Sequence, residues 1–228
     1  MALAIRTWAK ARAADRQSRR HRTLLAAGAL VAVLLGQGGA LAIKGSVPTL
    51  PAVAGGMMVG TVTSQPIGHY EFCRRSPAEC APLARDAGPL ALTTERWLDI
   101  VEVNELVNAA VAPLTDYELH GTTELWSYPD AAGDCEDYVL LKRQMLMERG
   151  FDAADLLITV VRQRNGEGHA VLTVRTDHGD FILDNLAGEV RDWRETPYRY
   201  LKRQASHHAG RWVDIAEGQS PVSVGAVR

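Results

Sequence analysis

From Leu156 onward, hydrophobic and polar positions recur with a period of two. LLITVVR (156–162) is β-branched, Asn165-Gly166 marks a turn, HAVLTVR (169–175) is a second strand and DFILD (180–184) a third. TDHGD between the last two has the composition of a tight hairpin. Upstream the period is helical. In TTERWLDIVEVNELVNAAVAP, Trp97, Val101, Asn104, Val107, Asn108 and Val111 recur at helical spacing, Thr93 or Thr94 can cap, and Pro113 ends the run. GDCEDYVLLKRQMLMERG gives a second helix, with Cys135, Tyr138, Val139, Lys142 and Leu146 in one stripe and Gly150 as C-cap. Lys142, Arg143 and Arg149 lie toward its negative end. These elements predict an α+β domain in which the Cys135 helix packs on an antiparallel β-sheet.

The flanks differ in composition. Residues 43–65, rich in Gly, Pro, Val and Ser, read as a linker; 66–205 form the domain; 206–228 read as a flexible tail. Residues 1–42 join a basic start to an uncharged apolar run, Thr23 to Ala42, that ends in small residues. That pattern predicts a signal peptide or, uncleaved, an N-terminal membrane anchor, and either takes the body out of the cytosol.

Composition is ordinary, 46% hydrophobic and 23% charged, but charge is unevenly spread. The first 42 residues carry seven Lys/Arg against Asp15, so a formal net charge of -2 for the chain leaves the body acidic. No nucleic acid is expected as a partner. Cys73 and Cys80 read as a disulfide closing a short surface loop in an oxidising compartment. A zinc site there would need more ligands, and no His sits at suitable spacing beside the pair. Cys135 is left over.

The burial pattern carries the chemistry. Packing Ala170, Leu172 and Val174 with Phe181 and Leu183 requires a register such as Leu172 opposite Leu183. That register puts His169 and Asp184 on the other face, one diagonal step apart and within reach of a His–carboxylate bond. With Cys135 at a helix start facing the sheet, the three form a nucleophile–base–orienter set. The Cys135 N–H can serve as an oxyanion donor, with a second from the Asn104 face or Trp126. Asn104 and Asn108, one turn apart, either tie buried backbone or point into the site. Asp134, Glu136 and Asp137 oppose this chemistry, because carboxylates beside a thiol favour its protonated form. Either something offsets them, or they only complement the helix dipole, with Asp134 as N-cap.

The segments W…VNELVN (97–108), LWSYPDAAGDCEDY (125–138), GHAVLTV (168–174) and FILDNL (181–186), with FCRRSPAEC upstream, resemble the bacterial transglutaminase-like cysteine peptidases, in particular the LapG-type members. The resemblance implies a papain-like, transglutaminase-like core with catalytic Cys135, His169 and Asp184. It implies a periplasmic endopeptidase that cuts a large surface adhesin near its N-terminus and so controls biofilm attachment. An inner-membrane receptor for cyclic di-GMP would act as inhibitor. It also implies Ca²⁺ bound by Asp134 and Glu136, with Asp137 either a further ligand or a solvated first-turn acid. The alternatives are a transglutaminase or amidase-type acyl transferase on the same triad, and a non-catalytic binding module.

Overall fold

The computed structural model describes residues 49–83 and 86–216, so the N-terminal leader lies outside the described residues. Among those described, no helix is long and apolar enough to cross a membrane. The elements, in chain order, are β1 (Val59–Thr63), α1 (Ile67–Arg75), α2 (Thr94–Ala110), β2 (Ala112–Pro113), α3 (Asp116–His120), β3 (Ala132–Gly133), α4 (Cys135–Glu148), β4 (Leu156–Arg162), β5 (Gly168–Thr176), β6 (Gly179–Leu183), β7 (Arg191–Asp192), β8 (Arg199–Ala205) and β9 (His208–Ile215). Seven strands form one sheet in the order β1-β9-β8-β4-β5-β6-β7, with every pairing antiparallel. β2 and β3 make a separate two-residue parallel pair that leads into α4.

The hairpin register is the one the apolar pattern demands, with Leu172 opposite Leu183 and Val174 opposite Phe181. The sheet is nevertheless covered on both sides, so β4, β5 and β6 are buried at almost every position. One face carries the helices, where Trp97 of α2 meets Phe181 edge-on at 5.1 Å. On the other, Val161, Val171 and Ile182 pack with Met57, Trp193, Tyr200 and Ile215. Two of those covering residues, Met57 and Ile215, come from segments that composition marks as peripheral. Residues 57–63 in the expected linker supply Met57 and the edge strand β1, and the expected tail supplies β9, with Trp212 and Ile215 each 1% exposed. Burying these large side chains fixes β9 where Gly and Ser content alone suggests mobility.

On α2, Thr93 caps as expected by accepting from the Arg96 N–H, but the buried stripe is Ile100, Val103, Asn104 and Val107. α4 ends before Gly150, whose φ of 85° suits glycine at a helix C-terminus. Lys142 and Arg143 are buried, not solvated at the helix end. The Lys142 Nζ donates to Asn104 Oδ1 at 2.8 Å, and burial pushes its ammonium down to about 7, opposed by the Asp184 charge. The Cys73–Cys80 disulfide forms and closes the expected surface loop, residues 74–79 being exposed or half-buried. Cys80 is buried, and His69, one helical turn before Cys73, lies 3.6 Å from the Cys73 sulfur, which corrects the expectation that no histidine stands beside the pair.

Candidate active site

Cys135 is the first residue of α4, where the first-turn N–H groups have no intrahelical partner. Its Sγ accepts the Ala170 N–H at 3.4 Å, which seats the helix tip on β5 beside His169. His169 Nε2 donates to Asp184 Oδ1 at 2.8 Å. Both residues are buried, 5% and 3% exposed. Cys135 and His169 line a single cleft of about 290 Å³ together with Leu114, Gln163, Asn185 and Leu186. Because Nε2 is committed to Asp184, Nδ1 is the ring nitrogen left for the thiol.

Asp184 is the most heavily bonded group of the three. Oδ1 also accepts the Leu186 N–H at 2.9 Å, and Oδ2 accepts the Tyr198 hydroxyl. Burial opposes its ionised form, yet the bonds from His169, Tyr198 and Leu186 hold the carboxyl below its usual range. The chain around it is tied from α2. Asn108 Nδ2 donates to the carbonyl oxygens of Asp184 at 2.8 Å and Ala187 at 3.3 Å, and Asn104 Nδ2 to that of Gly188 at 3.1 Å. Both amides therefore tie down the 184–188 backbone. The Trp126 indole N–H donates to Glu124 at 2.8 Å, and neither Asn104 nor Trp126 lines the cleft that Cys135 opens on.

The acids divide into two functions. Glu136 turns toward the nucleophile, accepting the Cys135 thiol hydrogen at 3.1 Å. Burial, then the charge of Asp134 and Glu124, raises the Glu136 carboxyl well above its usual range. Burial first, and Glu136 second, raises the Cys135 thiol. Asp134 occupies the N-cap position, but its side chain makes no capping bond. It turns instead toward Asp116 and Asp137, and the three present carboxylate oxygens within 4.8 Å of one another.

Each of those acids leaves one buried oxygen without a hydrogen-bond partner among the described residues: Asp116 Oδ1, Asp134 Oδ1 and Asp137 Oδ2. The remaining oxygens of Asp116 and Asp137 are engaged, accepting the Leu125 N–H and, at 2.8 Å, the Ser127 N–H. Three buried, unpaired carboxylate oxygens at one point are costly alone and form the hard donor set that suits Ca²⁺. Asp137 is completely buried, so it is not a solvated first-turn acid. A Cβ at Gly133 would stand 2.6 Å from Asp137 Oδ2, which accounts for the glycine before Asp134.

Sequence reasoning missed Asp116 and Tyr198. Asp116 had a local signal: Thr115 and Glu118 form a capping box that starts α3 and aims its first residue inward. Tyr198 had none, since its link to Asp184 depends on how the chain returns from β7 to β8.

The profile of one protein family, described as bacterial transglutaminase-like cysteine proteinase, matches residues 59–220. Among solved structures, calcium-bound LapG of Legionella pneumophila aligns at 24% identity over 57% of this chain and 75% of its own, with a TM-score of 0.45. The EGTA-treated form aligns at 23% identity over 52% and 67%, with the same TM-score. No curated protein sequence matches.

Proposed function

This chain belongs to the bacterial transglutaminase-like cysteine proteinases and is a cysteine protease acting on a protein substrate, and from that premise we propose that Cys135, His169 and Asp184 are its catalytic triad. The observation that carries the assignment is the Cys135 sulfur held by the N–H of Ala170, the neighbour of a His169 already paired to Asp184. His169 Nδ1 takes the Cys135 proton, and the thiolate attacks the carbonyl carbon of the scissile peptide bond. The Cys135 N–H at the positive end of α4 donates to the developing oxyanion. The imidazolium passes its proton to the leaving amine nitrogen, which departs and leaves a thioester. Water then attacks that thioester, giving its proton to His169, and the acid product and free thiol are released. Asp184 keeps the imidazole oriented and stabilises its charged form.

The ion proposed is Ca²⁺ held by Asp134 with Asp116 and Asp137, while Glu136 bridges the thiol to this cluster. The three unpaired oxygens support this set. A bound dication would neutralise the carboxylate charge that otherwise favours a protonated Cys135. The substrate proposed is a large surface adhesin cut near its N-terminus outside the cytosol, in the periplasm, under an inner-membrane cyclic di-GMP receptor. The GDCEDY, HAVL and LDN motifs support this reading through the LapG-type members they resemble.

The test is N-terminal sequencing of fragments released from surface proteins of the source cell by purified enzyme. A new N-terminus produced by the wild type and not by Cys135→Ser is expected. Equal release by both would refute the triad, and incorporation of a labelled amine into a glutamine substrate would favour an acyl transferase.

A further inference from the structure

Three groups share the carboxylate of Asp184, and one of them belongs to neither the expected triad nor its backbone. The Tyr198 hydroxyl donates to Oδ2, while Oδ1 serves His169 and the Leu186 N–H. The Tyr198 ring also leans on the His169 ring, with centroids 5.6 Å apart at a 55° tilt. Tyr198 lies in the turn between the 3₁₀ segment Trp193–Glu195 and β8, and its ring packs against the buried cluster around Trp193 and Tyr200. Its position is thus set by the sheet rather than by the cleft.

We propose that Tyr198 is a positioning residue of the proteolytic site, a fourth member that locks the rotation of the Asp184 carboxylate so that Oδ1 stays on His169. The inference rests on the Cys135–His169–Asp184 reading. With Oδ2 unbonded, only the two bonds at Oδ1 would resist a turn about the Cβ–Cγ bond, and any turn moves Oδ1 off Nε2. The hydroxyl opposes that turn by occupying Oδ2, and it favours the ionised carboxylate, because a donor bonds the charged form more strongly. Without it, Asp184 takes up a proton at higher pH. A protonated Asp184 stabilises the His169 imidazolium less, and the Cys135 thiolate is lost with it.

Cys135 is the one cysteine outside the disulfide, so its alkylation by iodoacetamide reports the thiolate without need of a protein substrate. In calcium-supplemented buffer, the pH profile of alkylation in Tyr198→Phe should have its acid limb moved upward. The rate at pH 5 should fall by about fivefold to tenfold, while the rate at pH 9 stays near wild type. A purely structural role would lower the melting temperature and leave the profile in place. Tyr198→Met, which fills similar space without a donor, carries the same expectation if the Phe variant does not accumulate folded. Profiles superimposing on wild type for a folded variant would overturn the inference. His169→Ala separates the two readings. If it too leaves low-pH alkylation intact, the triad itself fails, and if it abolishes it while Tyr198→Phe does not, only the role of Tyr198 falls.

Discussion

Glu136 accepts the thiol hydrogen of Cys135 at 3.1 Å, so the residue after the nucleophile acts against it. The helix dipole and the Ala170 N–H favour a thiolate, while burial and the Glu136 carboxylate favour the thiol. The balance between these groups decides how much of the enzyme is poised to react.

Glu136→Gln removes the opposing charge while keeping the shape. In EGTA, iodoacetamide should alkylate Cys135 in this variant severalfold faster than in wild type at pH 8, because a cause that holds the thiol protonated is gone. An unchanged rate would mean that burial alone governs the thiol.

Asp116 is separated from Asp134 by the 121–131 loop and β3, so an ion shared by the two would tie that segment to α4. Adding Ca²⁺ to EGTA-stripped protein should raise its melting temperature by ligand linkage. Asp116→Asn should weaken the Ca²⁺ affinity measured by calorimetry by about tenfold or more. Equal affinities would remove Asp116 from the ligand set.

Asp137 gives a pH dependence of defined sign. Burial, with added repulsion from Asp134 and Asp116, pushes its carboxyl up to about 7, against about 4 in an unfolded chain. Between these values the folded state holds a proton that the unfolded state lacks, so stability falls as pH rises. In EGTA, the melting temperature of wild type relative to Asp137→Asn should drop by about 5 °C from pH 4 to pH 7. A parallel course for the two proteins would contradict this.

The Cys73–Cys80 bridge closes a short loop and packs on the buried His69. The double variant Cys73→Ala/Cys80→Ala should lose about 2–3 kcal/mol in denaturant unfolding, the loop-closure value for this spacing. A loss near zero would mean that the packing around His69, Trp126 and Trp212 holds this corner without the bridge.

The strands and helices near the site were legible because their period and their hairpin chemistry agree. With Leu172 facing Leu183, the diagonal meeting of His169 and Asp184 follows from the pleat alone, and the 2.8 Å bond lies where that places it. What escaped depends on distant return of the chain. β9 carries a short alternation interrupted by Gly210, Arg211 and Asp214, and only the docking of Trp212 and Ile215 shows it to be a strand. Asp116 and Asp134 are brought together by a loop whose course has no periodic signature. The spacing of Asn104 and Asn108 showed that they act on one side of α2, but not that both bind the 184–188 backbone.

The outermost pairing of the sheet joins Val59 of β1 to Ile215 of β9, and the Trp212 indole N–H reaches His69 from the same late segment. A ribosome must therefore deliver nearly all of the described chain before its first strand finds a neighbour. Pairings so far apart in sequence form slowly. The β4–β5–β6 hairpins can pair locally as they emerge, but the β1 edge of the sheet closes only once β9 has been made.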